Sequence, residues 1–324
     1  SGATLTIAGG TVIKFEANWD SNSGGYEGKT CMTVDGTLLL GSTADNEIVF
    51  TSSRDDEYGG DTNGDPYVEV GPQPGDWGYI KINSNSSSIH DCRFRYGGLK
   101  DDQGGTQETW HNYMLWVNGY TDEIINNTFD YIYDASSYGV AGYNIYYTSG
   151  AGGYSSVLIS ENQITGGGYG IWLGGSGEYS SIEISNNEVG STIGLRGITL
   201  GAASENSMIA GNNISEFQKS IYMTNSSPTI TENTIMHGGD AQESSRFAFV
   251  QEGSSFPSYG NNQFSGEIWP AVAITGTIDS NGMWSDLSGI SDVDWSYLVL
   301  GAVTVSSGAT LTIAGGTVIK FEAN

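Results

Sequence analysis

Apolar residues along this chain alternate with polar ones over short runs, break at Asn, Gly or Ser, and then alternate again. One frame recurs: an apolar residue, two positions, an Asn slot, one position, an apolar residue. It is seen in INNTF (Ile125 to Phe129), ISENQI (Ile159 to Ile164), ISNNEV (Ile184 to Val189), IAGNNI (Ile209 to Ile214), ITENTI (Ile230 to Ile235) and YGNNQF (Tyr259 to Phe264). Registered together, these put Asn127, Asn162, Asn187, Asn212, Asn233 and Asn262 in one column. IHDCRF (Ile89 to Phe94) fits the same frame with Cys92 in the Asn slot. From Cys92 onward the members lie 35, 35, 25, 25, 21 and 29 residues apart. After most of them a second short run follows: IYY (Ile145 to Tyr147), IWL (Ile171 to Leu173), ITL (Ile198 to Leu200) and IYM (Ile221 to Met223), with LWV (Leu115 to Val117) after the Cys92 frame. Period-two alternation means strands with one buried and one wet face.

Uneven spacing excludes helix-pair repeats and fits solenoid coils with loops of variable length. A coil of a few short strands cannot bury a core alone. Stacked in parallel at about 4.8 Å per step, coils bury a continuous column of Ile, Val and Phe. An inward Asn at each turn can pair its amide with the Asn of the next coil. The expected fold is therefore all-β: a parallel β-helix solenoid with an Asn ladder, one continuous body over residues 1–324.

The Asn-centred coils resemble the right-handed parallel β-helix repeat family, the pectate-lyase-like superfamily. The stretches GATLTIAGGTVIKFEAN, TVDGTLLLGSTADNEIVFTSS (Thr33 to Ser53), GDWGYIKI (Gly75 to Ile82), CRFRYGG (Cys92 to Gly98) and the run from Ala273 to Ile313 resemble bacterial secreted β-helix proteins. The resemblance implies a right-handed coil and an extracellular or cell-surface setting. It implies no single activity, because that superfamily holds lyases, hydrolases, adhesins and structural proteins.

Residues 1–18 and 307–324 are the same string, SGATLTIAGGTVIKFEAN, at an offset of 306. In the family such a string opens a β-helix. The simplest account is a tandem array with a unit of about 306 residues (1–306), of which 307–324 starts the next. An engineered extension, or many copies of one short subunit joined end to end, are the alternatives. Leu5, Ile7, Val12, Ile13 and Phe15 read as core-like, and no polar cap is evident. The expected partner is the chain itself, head to tail, with lateral filament contacts or glycans in addition.

Charge narrows the function classes. There are 11 Lys and Arg against 37 Asp and Glu, a formal net charge of −26. Nucleic acid is excluded as a ligand, because phosphate binding needs clustered bases. An anionic membrane surface is excluded for the same reason, and no apolar run reaches membrane-spanning length. With neither signal peptide nor initiator Met, the sequence reads as a slice or mature portion of something longer. Two cysteines, Cys31 and Cys92, make no disulfide framework, and a bond between them is not expected. Sequons at Asn85, Asn213 and Asn225 allow glycosylation.

Candidate chemistry is sparse. Asp61, Asn63 and Asp65 alternate between Gly60 and Gly64, and Asp55 and Asp56 precede them on the same loop. Alternating oxygens on a Gly-bent loop suit Ca²⁺; a solvated acidic loop is the plainer reading. His90, Asp91, Arg93, Arg95, Asp101 and Asp102 are the acids and bases that a lyase or hydrolase would use, although outward pairs on such a face are usually surface ion pairs. His111 and His237 are isolated, without metal-ligand spacing. No catalytic residue is assigned. In the second-strand column Trp116, Tyr146, Trp172, Thr199 and Tyr222 are expected to point outward. The aromatic ones would form an exposed ladder that either grips sugar rings or stacks on itself. The favoured function is a structural unit of an extracellular filament, stalk or giant surface protein. A carbohydrate-binding or adhesive surface protein is the alternative, and a polysaccharide lyase or glycoside hydrolase ranks third.

Overall fold

Short alternating strands can satisfy their backbones only on one another, and the computed structural model shows where each finds its neighbour. It describes residues 2–17, 30–64, 71–84, 88–98, 112–119, 121–133, 142–149, 156–175, 181–201, 206–237, 246–266 and 268–322. Every regular element among them is a β-strand. The chain divides into two compact units: Ser1–Gly150 with Glu161–Trp172, and Ala151–Ser160 with Leu173–Asn324.

In the first unit three columns of parallel strands climb from coil to coil. Thr4–Ala8 pairs with Thr37–Gly41, and Ile89–His90 with Glu123–Ile125. Val12–Phe15 lies against Ile48–Ser52, then Cys92–Arg95, Thr128–Asp130 and Gln163–Thr165. Met32–Val34 leads to Ile80–Ile82, Tyr113–Val117 and Tyr143–Ser149. Alternation selects the inward set. Phe50, Phe94 and Phe129 stack with ring centroids 5.1 and 4.7 Å apart. Ile80, Leu115 and Ile145 form the next buried row.

The second unit repeats this plan. Ser156–Ser160, Ser181–Ser185, Met208–Ala210, Thr229–Thr231 and Ser258–Gly260 make one column. Where the sequence showed two short runs, the chain forms single bent strands, Glu188–Gly201 and Asn213–Thr224. Their pairing slips between Gly190 and Gly194. A Cβ at Gly194 would sit 2.1 Å from the Phe217 ring, so glycine lets that ring close the corner. Beyond them Thr234–His237 and Gln263–Gly266 pair in one column. Phe247–Glu252, Ala271–Ile278, Ser296–Val305 and Ile319–Phe321 continue the other.

The Asn column is inside in both units. Asn127 donates from its backbone N–H and its Nδ2 to Asn162 Oδ1, both at 3.0 Å. The same double donation links Asn187 to Asn212, Asn212 to Asn233, and Asn233 to Asn262. Each Nδ2 also donates to a carbonyl one coil back, such as Asn212 to Ile184 O at 2.9 Å. Cys92 takes its expected inward place, and its N–H donates to Asn127 Oδ1. The residue before each ladder position is left-handed: Asp91, Asn126, Glu161, Asn186, Gly211, Glu232 and Asn261 have φ between 46° and 67°. Asn, Asp and Gly tolerate that region, whereas the two Glu carry strain. This rule was present in the sequence as the Asn, Asp or Gly before most ladder residues.

Asn212→Leu removes the acceptor of two Asn187 donors and the donor to Ile184 O and Asn233 Oδ1. Dry polar groups cost about 1–3 kcal/mol each. The expected loss is roughly 3 kcal/mol or more in a denaturant titration, while Asn213→Leu, one residue along and exposed, changes stability little.

Candidate functional site

The repeated string folds alike at both positions but meets different neighbours. Near the start, Thr4–Ala8 and Val12–Phe15 pair with the coil that follows, Leu5 opposite Leu38 and Phe15 opposite Ser52. Near the end, Leu311–Ile313 and Ile319–Phe321 pair with the coil that precedes, Ile313 opposite Trp284 and Phe321 opposite Val299. The backbone groups used are disjoint. The carbonyls of Ala3, Thr11 and Phe15 accept from Thr37, Val49 and Ser53. In the other copy it is the carbonyls of Thr310 and Val318, and the N–H groups of Ala314 and Glu322, that bond to the preceding coil. Shifted by the offset of 306, those are positions 4, 12, 8 and 16. Within the strands the odd positions bond forward and the even ones back, as in any strand held between two parallel neighbours, while at the turn Gly10 N–H also donates forward to Asn46 O and Glu47 O.

Burial follows the cover. Phe15 is 6% exposed, stacked on Trp77 at 4.4 Å, whereas its counterpart Phe321 is 75% exposed. Ile7 is 6% exposed and Ile313 47%. The core-like reading of the string holds for Ile7 and Phe15; Leu5 is on the same face, opposite buried Leu38, but is 43% exposed.

Several acids and bases of the first unit are bound to one another. Arg93 spans three coils, from Glu47 at 3.1 Å to Asp130 at 3.0 Å. Burial lifts the Asp130 carboxyl above its ordinary value against the pull of Arg93. Arg95, expected on the surface, is buried. It holds Asp55 at 3.0 Å and Glu57 at 2.8 Å, and lies over the rings of Tyr58, Tyr96 and Tyr131. His90 Nδ1 is 3.0 Å from Asp91. Asp101, Asp102 and His111 lie outside the described residues. These carboxylates are tied to cations, and the arrangement staples coils together.

Of the expected calcium ligands, Asp55 is buried. Its carboxylate is turned inward to Arg95 and Thr51. Asp61 Oδ1 accepts from the Gly64 N–H at 2.8 Å, closing the loop on itself. Asp56 and Asn63 are exposed, and Asp65 lies outside the described residues. Among the described residues no three His, Cys, Asp or Glu gather about a cation position.

The aromatic column stacks on itself. Tyr146 lies between Tyr113 at 4.2 Å and Trp172 at 4.5 Å, both nearly parallel, and Tyr143 stacks on Tyr169 at 4.3 Å. Lys81 Nζ sits 3.7 Å over Trp116, whose ring meets Tyr146 edge-on. Trp116, Tyr146 and Trp172 are half-buried rather than freely exposed. Two positions expected to be exposed are covered instead: Thr199 and Tyr222 lie between the inward residues of their strands but are buried. Tyr222 lies under the Arg196 guanidinium at 3.6 Å, donates to Glu252 at 2.6 Å, and packs with Phe247, Val250 and Ala273.

The remaining reactive groups are quiet. Cys31 is exposed and Cys92 buried, neither in a disulfide, and burial pushes the Cys92 thiol up to about 12. His237 is buried against Ser220, and burial followed by Arg246 pushes it down to about 4. Sequon residues Asn213 and Asn225 are exposed, and Asn85 lies outside the described residues.

Two stability contrasts test this geometry. Phe15→Ala in the isolated chain is expected to cost about 3–5 kcal/mol, as for a buried Phe, and Phe321→Ala less than about 0.5. Equal losses in urea titrations would mean that the two copies share one environment. Arg95→Met strands Asp55 in the interior and should cost about 3–5 kcal/mol, whereas Arg95→Met with Asp55→Leu should regain most of it.

No curated protein and no solved structure matches the chain. A family model does, over residues 113–283, and that family holds both enzymes and proteins without catalytic activity. The matched stretch contains the Asn ladder, the left-handed turns before it and the parallel columns on either side. With more than half of its length matched, the chain belongs to the family described as the right handed beta helix region.

Proposed function

We propose that this chain is a structural unit of an extracellular or cell-surface β-helical filament, stalk or giant surface protein, joined end to end through a continuous β-helix. The observation that carries this reading is the repeated string. One sequence stands in two places, once with its forward edge paired and once with its backward edge paired. A single copy placed between Trp284 and Val299 on one side and Leu40 and Ser52 on the other uses both edges at once. The unit of about 306 residues then repeats without a linker.

Other features support a mechanical role. The charged side chains of the first unit link successive coils, as Glu47, Arg93 and Asp130 do. The Tyr and Trp faces that a sugar ring would need are taken up in stacking on one another. The net charge of −26 favours solubility and keeps neighbouring surfaces apart.

The test is a polypeptide carrying residues 1–306 twice in succession. Its scattering profile should be that of a rod about twice as long, melting in one transition, and the natural assembly should appear in micrographs as thin unbranched filaments. The axial repeat of the filament should be a whole number of coil steps of about 4.8 Å, one for each coil of the unit. Two independently tumbling bodies in the double-length chain, or a linker sensitive to protease at the junction, would overturn the reading.

A further inference from the structure

We propose that Tyr131 is a stacking platform for a neutral sugar ring, which sits over the bare turn at Gly166. Both residues belong to the first unit, and the site does not depend on the structural-unit reading above.

The starting point is backbone strain. Tyr96 and Tyr131 occupy equivalent turns on successive coils, two residues after the stacked Phe94 and Phe129, and both are left-handed, with φ of 60° and 58°. The register that pairs Phe129 with Ile164 puts Gly166 at the same turn of the next coil, with φ of 85°. Glycine takes that conformation freely, whereas a bulky aromatic residue is an outlier there. The interior accounts for Tyr96: it is 9% exposed, and its hydroxyl accepts from Arg95 Nη2 at 3.3 Å. Tyr131 is 51% exposed. Its ring partners among the described residues are Tyr96, stacked at 4.8 Å, and the Arg95 guanidinium at 5.6 Å. A fold that needed only the turn would have glycine at 131, as it has at 166. Strain kept for a half-exposed ring points to something that the ring's outer face contacts.

The geometry of that face is defined. Tyr96 and Tyr131 lie within 10° of parallel, so one face of Tyr131 is taken and the other looks along the stack toward the next coil. That coil carries no side chain at 166, and a Cβ built there would meet no atom of the described residues within 4 Å. One coil step is about 4.8 Å, which is room for one more ring in the stack. In the other aromatic column, by contrast, Tyr146 has a ring on each face.

The rim and the charge select the occupant. Asp130 and Thr165, the residues just before Tyr131 and Gly166, alternate with inward Phe129 and Ile164 and so fall on the outward face; Thr165 is exposed. A carboxylate and a hydroxyl beside an open Tyr face suit a pyranose, whose C–H face packs on the ring while its hydroxyls donate at the edge. An aromatic side chain of another protein would leave those oxygens unused. The net charge of −26 disfavours an acidic sugar.

Isothermal titration of the full chain with cellohexaose, xylohexaose and mannohexaose is the measurement, with hexagalacturonate as the acidic control. A neutral hexasaccharide should bind. Tyr131→Gly should weaken it about tenfold or more without lowering the melting temperature, because glycine is at ease at φ 58°. Gly166→Asn should weaken it as much, since Asn tolerates the left-handed turn and its side chain fills the open place. The site is overturned if no neutral hexasaccharide binds at millimolar concentration, if either variant binds as the parent does, or if hexagalacturonate binds more tightly than the neutral sugars. Binding that is lost in Trp172→Ala and kept in Tyr131→Gly would place the sugar on the other aromatic column and equally overturn it. Should Tyr131→Gly destabilise the fold, Gly166→Asn decides alone. None of these failures touches the structural-unit reading, which the double-length chain tests separately.

Discussion

A strand in a parallel sheet has two hydrogen-bonding edges, and a coil of short strands can satisfy only those that face another coil. The rest of this structure depends on that constraint. Backbone groups at odd and even positions point to opposite neighbours, so each coil is half of two interfaces. The string SGATLTIAGGTVIKFEAN shows this directly, because its two copies display one edge each. The difference between Phe15 and Phe321 is a difference of cover, with identical residues and the same local fold.

Within the stack, the ladder enforces the register. A buried Asn side chain must place both its acceptor and its donors, and the coil spacing lets each Asn serve the one before it. The ladder sits immediately after a left-handed residue, which turns the chain sharply enough to aim the amide inward. Turn and ladder are one device: without the positive φ the Asn would not reach its neighbour, and without the bonds the strained turn at Glu161 or Glu232 would have nothing to hold it. Register errors are correspondingly disfavoured, since a shift of one residue would bury the polar face.

The outer faces are specialised by the same stacking. Ions placed on successive coils become ladders of alternating charge, as in Glu47, Arg93 and Asp130, and aromatic rings become a stack from Tyr113 through Tyr146 to Trp172. Groups that would be separate surface residues on another fold are thus consumed by their neighbours. The proposed mechanical role draws on this stacking of side chains from one coil to the next.

The sequence by itself determined the coils. Period-two alternation, the registered Asn column and the identical strings at an offset of 306 specified a parallel solenoid, its ladder and its inward rows, because these are repeating one-dimensional patterns that each coil must obey alone. Only the tertiary structure decided what covers each outward side chain. Alternation says that Arg95, Thr199 and Tyr222 leave the core face, but not that they end under neighbouring residues, nor that Asp55 leaves its acidic loop to pair with Arg95. Leu5 shows the same limit from the other side, being exposed though its pattern is apolar. Cover depends on loops and coils distant in sequence, and local periodicity carries no record of them.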